Sequence, residues 1–101
     1  MDLVVETYRF TSTIPTAERF GIVQQMQRAS VSIPSNVAEG YGRSTKADFA
    51  RFVDIALGST RELQTQLELC QRLGFGETTK LVEQGEEVAK ILYGLIRSLR
   101  K

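Results

Sequence analysis

Apolar side chains recur every three or four residues along almost the whole chain, the spacing that puts them on one face of an α-helix. The first such segment covers residues 2–13 and is predicted to stop before Pro15. Thr16 can cap a second helix, which extends to the turn at Gly40–Gly42. The predicted buried stripe of this second helix consists of Phe20, Val23, Met26, Ser30, Ile33 and Val37.

The second half of the chain predicts two longer helices. Ser44 or Thr45 is expected to cap the third helix, and Gly74 is expected to end it. Its apolar seam alternates by three and four residues through Phe49, Phe52, Ala56, Ser59, Leu63, Gln66, Cys70 and Leu73. The fourth helix follows Phe75–Gly76 and carries Leu81, Gly85, Val88, Leu92, Leu95 and Leu99 on its apolar face.

Four helices with short links predict an all-α fold. We expect an up-down-up-down antiparallel four-helix bundle that forms a single domain over residues 1–101. No run has the period of two residues that a half-buried strand requires. Pro34 lies inside the second helix, where a proline costs roughly 3 kcal/mol because it removes a backbone donor and crowds the preceding turn. We therefore predict that the second helix is kinked at Pro34.

Charge and composition narrow the classes of function. The 13 basic residues nearly balance the 12 acidic ones, and a net charge of +1 does not by itself indicate a polyanionic partner. A single cysteine excludes an internal disulfide and suits a reducing compartment. The sequence has neither a signal-peptide pattern nor an apolar stretch of about 18 residues, so we predict a cytoplasmic protein with no membrane partner.

The chain offers few groups for catalysis. Histidine, the commonest general base and metal ligand, is absent. Cys70 lies on the apolar seam without a histidine partner, which favours a structural thiol over a nucleophile. The segment GYGRSTKADF resembles a phosphate-binding loop only superficially, because the P-loop spacing and the preceding strand are missing. We therefore predict no catalytic, cofactor-binding or metal-binding residues and no enzymatic activity.

Polar residues interrupt the apolar faces of the second and third helices. Glu39 and Arg43 are one turn apart and can form an ion pair. Two interpretations remain open: these residues form either a polar layer that fixes the register of the helices or a pocket that binds a ligand or RNA. We favour the polar layer, because buried polar groups specify register and are costly when left unpaired. The members of this polar motif are Ser32, Asn36, Glu39, Arg43, Ser59, Glu62 and Gln66.

The fourth helix begins acidic and ends basic. This order complements the helix dipole, so no ligand is needed to explain it. Arg97, Arg100 and Lys101 nevertheless share a face at spacings of three and four residues, and Lys90 falls on the same face. Repeated around an oligomer, this face would form a basic ring. These four residues are our candidates for nucleic-acid contact.

The segment SIPSNVAEGYGRSTKADFARFVDIALGSTRELQTQL resembles the signature of the 23S rRNA intervening-sequence protein family, also called S23-type four-helix-bundle proteins. The retroelement accessory variability determinants belong to the same group. One set of matching residues is Ser32, Pro34, Asn36, Glu39, Gly40 and Arg43. The other is Phe49, Arg51, Phe52, Gly58, Ser59, Glu62, Leu63, Gln66 and Leu67.

The resemblance implies a bacterial four-helix bundle that assembles into a ring-like homopentamer. It also implies contact with nucleic acid and a reverse transcriptase in the accessory relatives, through basic surfaces. Family members usually have a longer first helix that opens on a basic, tryptophan-containing segment, and they are often more basic than this chain. We therefore expect apolar surface, or a covering subunit, where the short first helix leaves its partner helices uncovered.

Two classes of function follow from these observations. The leading hypothesis is a non-catalytic homo-oligomer that binds RNA or a ribonucleoprotein through its basic faces. The alternative is a protein–protein scaffold with no nucleic-acid contact, supported by the near-neutral charge and by a strip of small residues, Ala56, Gly58 and Ser59, that could accept a partner helix.

Overall fold

A computed structural model describes all residues, 1–101, and contains four α-helices and no strand. The predicted all-α fold is confirmed. The helices are α1 (Asp2–Thr11), α2 (Gln24–Tyr41), α3 (Lys46–Arg72) and α4 (Thr79–Leu99). A 3₁₀ turn at Thr16–Glu18 and a π-helical turn at Arg19–Val23 lead into α2.

Consecutive helices run antiparallel and enclose one core. Between α3 and α4, Arg61 pairs with Glu86 and Asp54 pairs with Arg100, so residue numbers rise along one helix as they fall along the other. Helix α1 contacts both α2 and α4, which closes the bundle. The molecule measures 44 × 22 × 17 Å. None of its helices combines the length and the apolar character that crossing a bilayer requires.

The kink predicted at Pro34 is not confirmed. Helix α2 continues through Pro34 from Gln24 to Tyr41, and the irregular backbone lies earlier, at Gly21, where φ is −106° and ψ is −113°. Thr16 does not cap α2 with its side chain, because it begins the separate 3₁₀ turn. The entry into α2 is therefore the irregular part of this helix, rather than its middle.

Both ends of α3 have the capping residues that the sequence suggests. The Thr45 hydroxyl accepts a hydrogen bond from the Asp48 backbone N–H at 3.1 Å, which caps the first turn. At the other end Gly74 has a φ of +80°, which favours glycine. The N–H of Phe75 bonds to the Cys70 carbonyl at 2.9 Å, as in a Schellman motif.

The core is centred on α3, and its buried side chains cover a wider arc than the predicted seam. Helix α3 packs against α2 on one side and α4 on the other, so Val53 and Leu67 are also fully buried. Leu73 lies beyond the last turn of α3 and is 55% exposed, and Phe20 is 84% exposed; the predicted burial of both is wrong. Burial follows the number of neighbouring helices, which periodicity alone does not reveal.

The predicted strip of small residues on α3 does not form one surface. Ala56 is fully buried in the core, and Ser59 is half-buried against α2. Only Gly58 faces open space, because no atom lies within 4 Å of the position that a Cβ would take.

An apolar groove lies at the beginning of α1, between α1, α2 and α4. Its volume is about 580 Å³. The groove is lined by Met1, Leu3, Val4, Ile33, Pro34, Val37, Ala38, Tyr41 and Val88.

Candidate nucleic-acid interface

Three of the four predicted nucleic-acid-binding residues lie together. Arg97, Arg100 and Lys101 line a depression of about 420 Å³ between the C-terminal end of α4 and the first half of α3. We call this depression the basic cleft. Its other lining residues are Asp54, Leu57, Tyr93 and Ile96.

Two of the three cations in the basic cleft are free to contact a ligand. The Arg100 guanidinium donates a hydrogen bond to the Asp54 carboxylate, so part of its charge is neutralised. Arg97 and Lys101 are exposed and form no ion pair within the chain. With one carboxylate against three cations, the cleft keeps an excess of positive charge although the whole chain is nearly neutral.

Lys90 is placed apart from the basic cleft, which corrects the expectation that it shares the same patch. Its amino nitrogen is 3.7 Å from the Glu87 carboxylate, and both residues line an acidic depression further toward the start of α4. Hydrogen bonds from Arg61 and Gln64 hold the pKa of neighbouring Glu86 below its usual value, and the charge of Lys90 acts in the same direction. Carboxylates therefore surround Lys90, and it is the weakest of the four candidates.

Tyr93 is the residue of this cleft that the sequence analysis missed. It is 58% exposed and lines the cleft together with Arg97, Arg100 and Lys101. The signal was present, because Tyr93 precedes Arg97 by four residues and Arg100 by seven, which places all three on one helix face. An exposed aromatic ring beside unpaired cations is the combination that proteins use to stack bases and contact phosphates.

The predicted polar motif is divided into separate pairs instead of forming one layer. At the α2–α3 contact the hydroxyl oxygens of Ser32 and Ser59 are 2.8 Å apart. The Asn36 amide donates to the Ser32 carbonyl at 2.8 Å and to the Ser32 hydroxyl at 2.9 Å. These three half-buried side chains join the two helices at one level.

Glu39 does not join this group. Its carboxylate instead accepts a hydrogen bond from Arg43 at 2.9 Å, the exposed one-turn ion pair that the spacing predicts. The Arg43 guanidinium also lies 4.7 Å from the centre of the Phe52 ring, and Arg51 contacts the same ring at the same distance. Both arginines are thus oriented by an aromatic ring of the protein itself.

The last pair of the motif lies further along α3. The Gln66 amide donates to the Glu62 carboxylate at 3.4 Å, which is long for a hydrogen bond. The buried Gln66 amide oxygen has no hydrogen-bond partner. This pair is one turn or more from the Ser32–Asn36–Ser59 group, so the motif has no common pocket.

Cys70 is buried in the core, with its sulfur 3.5 Å from the sulfur of Met26. Burial raises the pKa of the Cys70 thiol, and the charge of Glu18 adds to the effect. A raised pKa lowers the thiolate fraction at neutral pH, and the thiolate is the reactive form. The chain also contains no group of three or more side chains that could hold a metal ion.

We expect Cys70 to resist alkylation in the folded protein. Iodoacetamide at neutral pH should leave the thiol unmodified over a period in which it labels the urea-unfolded chain completely. A Cys70→Ser/Ser98→Cys variant, whose thiol is on the exposed side of α4, should react in both states. Mass spectrometry measures the modified fraction, and equal rates for folded and unfolded Cys70 would contradict its burial.

Comparison with known proteins identifies the family. The sequence matches the family described as 23S rRNA-intervening sequence protein over residues 1–94. The chain belongs to this family. It is similar in structure to a Bacteroides thetaiotaomicron VPI-5482 protein, described as a protein with unknown function from the S23 ribosomal protein family. The two structures superpose with a TM-score of 0.85, and the alignment covers 95% of this chain and 89% of the other. At 23% sequence identity, this similarity shows a shared fold. No curated protein matches the chain.

Proposed function

We propose that this member of the intervening-sequence protein family is a non-catalytic homo-oligomer that binds RNA through the basic cleft. The observation that carries the proposal is the placement of exposed Tyr93 beside Arg97 and Lys101, two cations without an ion pair. The family name associates these proteins with ribosomal RNA genes, which makes structured RNA the natural first ligand to test.

Arg97, Lys101 and Tyr93 make different kinds of contact with the RNA. Arg97 and Lys101 contact phosphates, which gives affinity that depends little on sequence and strongly on salt. Tyr93 stacks on an unpaired base, a contact worth about 1–3 kcal/mol per base. Asp54 holds Arg100 in place at the edge of the cleft. Lys90 contributes at longer range, because Glu87 is its nearest charged partner.

Assembly multiplies a contact that is weak in one copy. Several clefts on one particle engage the same RNA at a high effective concentration, so their combined affinity exceeds that of a single cleft. A homopentamer, as the family resemblance implies, would present five such clefts. Light scattering at micromolar concentration measures the assembly, and the mass of a monomer would contradict it.

Reversing two charges of the basic cleft should weaken RNA binding and its dependence on salt. For Arg97→Glu/Lys101→Glu we expect the slope of log affinity against log salt to become shallower by about 1.4–1.8, the value for two lost phosphate contacts per bound copy. Fluorescence anisotropy with a labelled 23S rRNA fragment, between 50 and 200 mM salt, gives the slope.

The control changes the same net charge at the other end of the bundle. Arg72→Glu/Lys80→Glu alters two exposed cations among acidic neighbours and should keep the wild-type slope. Tyr93→Ala should reduce affinity at every salt concentration without changing the slope, because stacking releases no counterions. The proposal fails if the wild-type protein does not bind rRNA fragments at low salt, or if both double variants have the same effect.

A protein scaffold without RNA contact remains the second candidate, and the near-neutral net charge of +1 is the observation that favours it. A partner protein, such as a reverse transcriptase, should then co-purify from a lysate equally well before and after nuclease treatment. Loss of all partners on nuclease treatment would favour the RNA-binding function.

A further inference from the structure

Three large apolar side chains are exposed to solvent over most of their surface. Met1, Phe20 and Tyr41 are 85%, 84% and 79% exposed, the highest values among the large apolar residues of the chain. Met1 and Tyr41 line the apolar groove, whereas Phe20 projects from the turn before α2. We propose that Phe20 of one copy inserts into the apolar groove of the next copy, and that this contact builds the homo-oligomer proposed above.

The backbone before α2 holds Phe20 outward. Phe20 lies in the π-helical turn Arg19–Val23, and the adjacent Gly21 departs from helical dihedral angles. Helical spacing alone would place Phe20 on the same buried stripe as Val23 and Met26. The irregular turn instead leaves Val23 and Met26 in the core and exposes the whole Phe20 ring to solvent. The result is a single aromatic side chain that protrudes from the surface.

Phe20 cannot fill the groove of its own chain. The turn that carries it precedes Gln24, the first residue of α2, whereas the groove is lined by residues of α2 from Ile33 onward. The helical path between Gln24 and Val37 is about 20 Å at 1.5 Å per residue. Donor and acceptor surfaces are therefore different parts of the molecule, and such a head-to-tail contact closes into a ring or continues as a filament.

Charges around the two surfaces are complementary. Arg19 is next to Phe20, is exposed and forms no ion pair within the chain. At the groove, exposed Asp2 adjoins Leu3 and forms no ion pair within the chain, whereas Glu39, next to Ala38, is already paired with Arg43. A copy that inserts Phe20 brings the Arg19 cation toward the Asp2 carboxylate. The groove volume of about 580 Å³ is large enough to accept a phenyl ring. A second copy of this chain therefore fits the groove in both polarity and charge.

Two variants, each defective in one surface, test the contact. Phe20→Glu removes the protruding ring, and Ala38→Glu places a charge in the groove at an exposed helical position that tolerates it. By light scattering, each variant alone should lose the wild-type assembly and give the monomer mass of 11.3 kDa. Their 1:1 mixture should give a species of twice that mass, because one intact Phe20 then meets one intact groove.

The control is Ile91→Glu, which changes a residue that is 70% exposed but outside both surfaces, and it should keep the wild-type mass. If the wild-type protein assembles and Phe20→Glu assembles equally, or if the mixture stays monomeric, this contact is wrong while the proposed assembly stands. A monomeric wild-type protein would overturn both. RNA binding is measured separately, because the basic cleft contains neither Phe20 nor Ala38.

Discussion

Replacing Gly40 by alanine should lower the free energy of unfolding by about 2 kcal/mol, the middle of the range for an overpacked core. Gly40 is buried near the end of α2, where α2 crosses the first turns of α3. A Cβ added there would lie 2.7 Å from the Phe52 Cβ and 2.9 Å from the Phe49 ring. It would also lie 3.2 Å from the Phe49 backbone oxygen, which a side-chain rotation cannot move.

The two helices must therefore separate, because rotating the aromatic rings moves neither the Phe52 Cβ nor the Phe49 backbone oxygen. At roughly 4–8 °C per kcal/mol for a domain of this size, the melting temperature should fall by about 8–16 °C. Thermal unfolding followed by circular dichroism at one fixed protein concentration measures the change, since assembly makes the melting temperature depend on concentration.

Gly58 and Gly94 provide the matched controls for Gly40. All three are helical glycines, but a Cβ at Gly58 or Gly94 would meet no atom within 4 Å. Alanine at either position should stabilise the protein by up to about 1 kcal/mol, because it has the higher helix propensity. Equal stability changes at Gly40 and Gly58 would show that α2 and α3 do not approach as closely as described.

Local sequence signals predicted the fold correctly because each of them acts within a few residues. The periodic apolar pattern defined four helices, Thr45 capped α3 and Gly74 ended it. The outcome was less predictable where it depends on neighbours distant in sequence. The kink expected at Pro34 is not confirmed; its ring lines the apolar groove, and α2 is assigned as one helix through it. Phe20 was assigned to the core because periodicity could not detect the irregular turn at Gly21.

The same limit applies to the candidate site: the grouping of residues on one helix was predictable, but contacts between helices were not. Spacing on one helix grouped Arg97, Arg100 and Lys101 correctly, since a single helix determines that geometry. The pairing of Arg100 with Asp54 depends on how α3 and α4 align, and no local pattern indicates that alignment. Tyr93 lies on the same face, but a pattern of charged residues alone does not reveal it.

The largest loss of stability is expected from Leu63→Ala, about 3 kcal/mol within the range of 2–5 for a buried leucine. Leu63 is fully buried in the part of α3 that packs against both α2 and α4. Truncation removes apolar surface from the core and leaves a cavity. The walls of this cavity are held on two sides by helices, so they collapse only partly. Urea unfolding should show a lower midpoint with an unchanged m-value.

Leu73→Ala removes the same atoms from the end of the same seam and is the appropriate control. The sequence pattern assigns Leu63 and Leu73 to one stripe, but Leu73 is more than half exposed beyond the last turn of α3. Its replacement should therefore cost less than about 1 kcal/mol, as expected for a largely solvated side chain. If the two variants lost similar stability, the core would have to extend along the whole predicted seam to the end of α3. A difference of 2 kcal/mol or more would instead place the stabilising contacts where three helices meet, as burial in this bundle indicates.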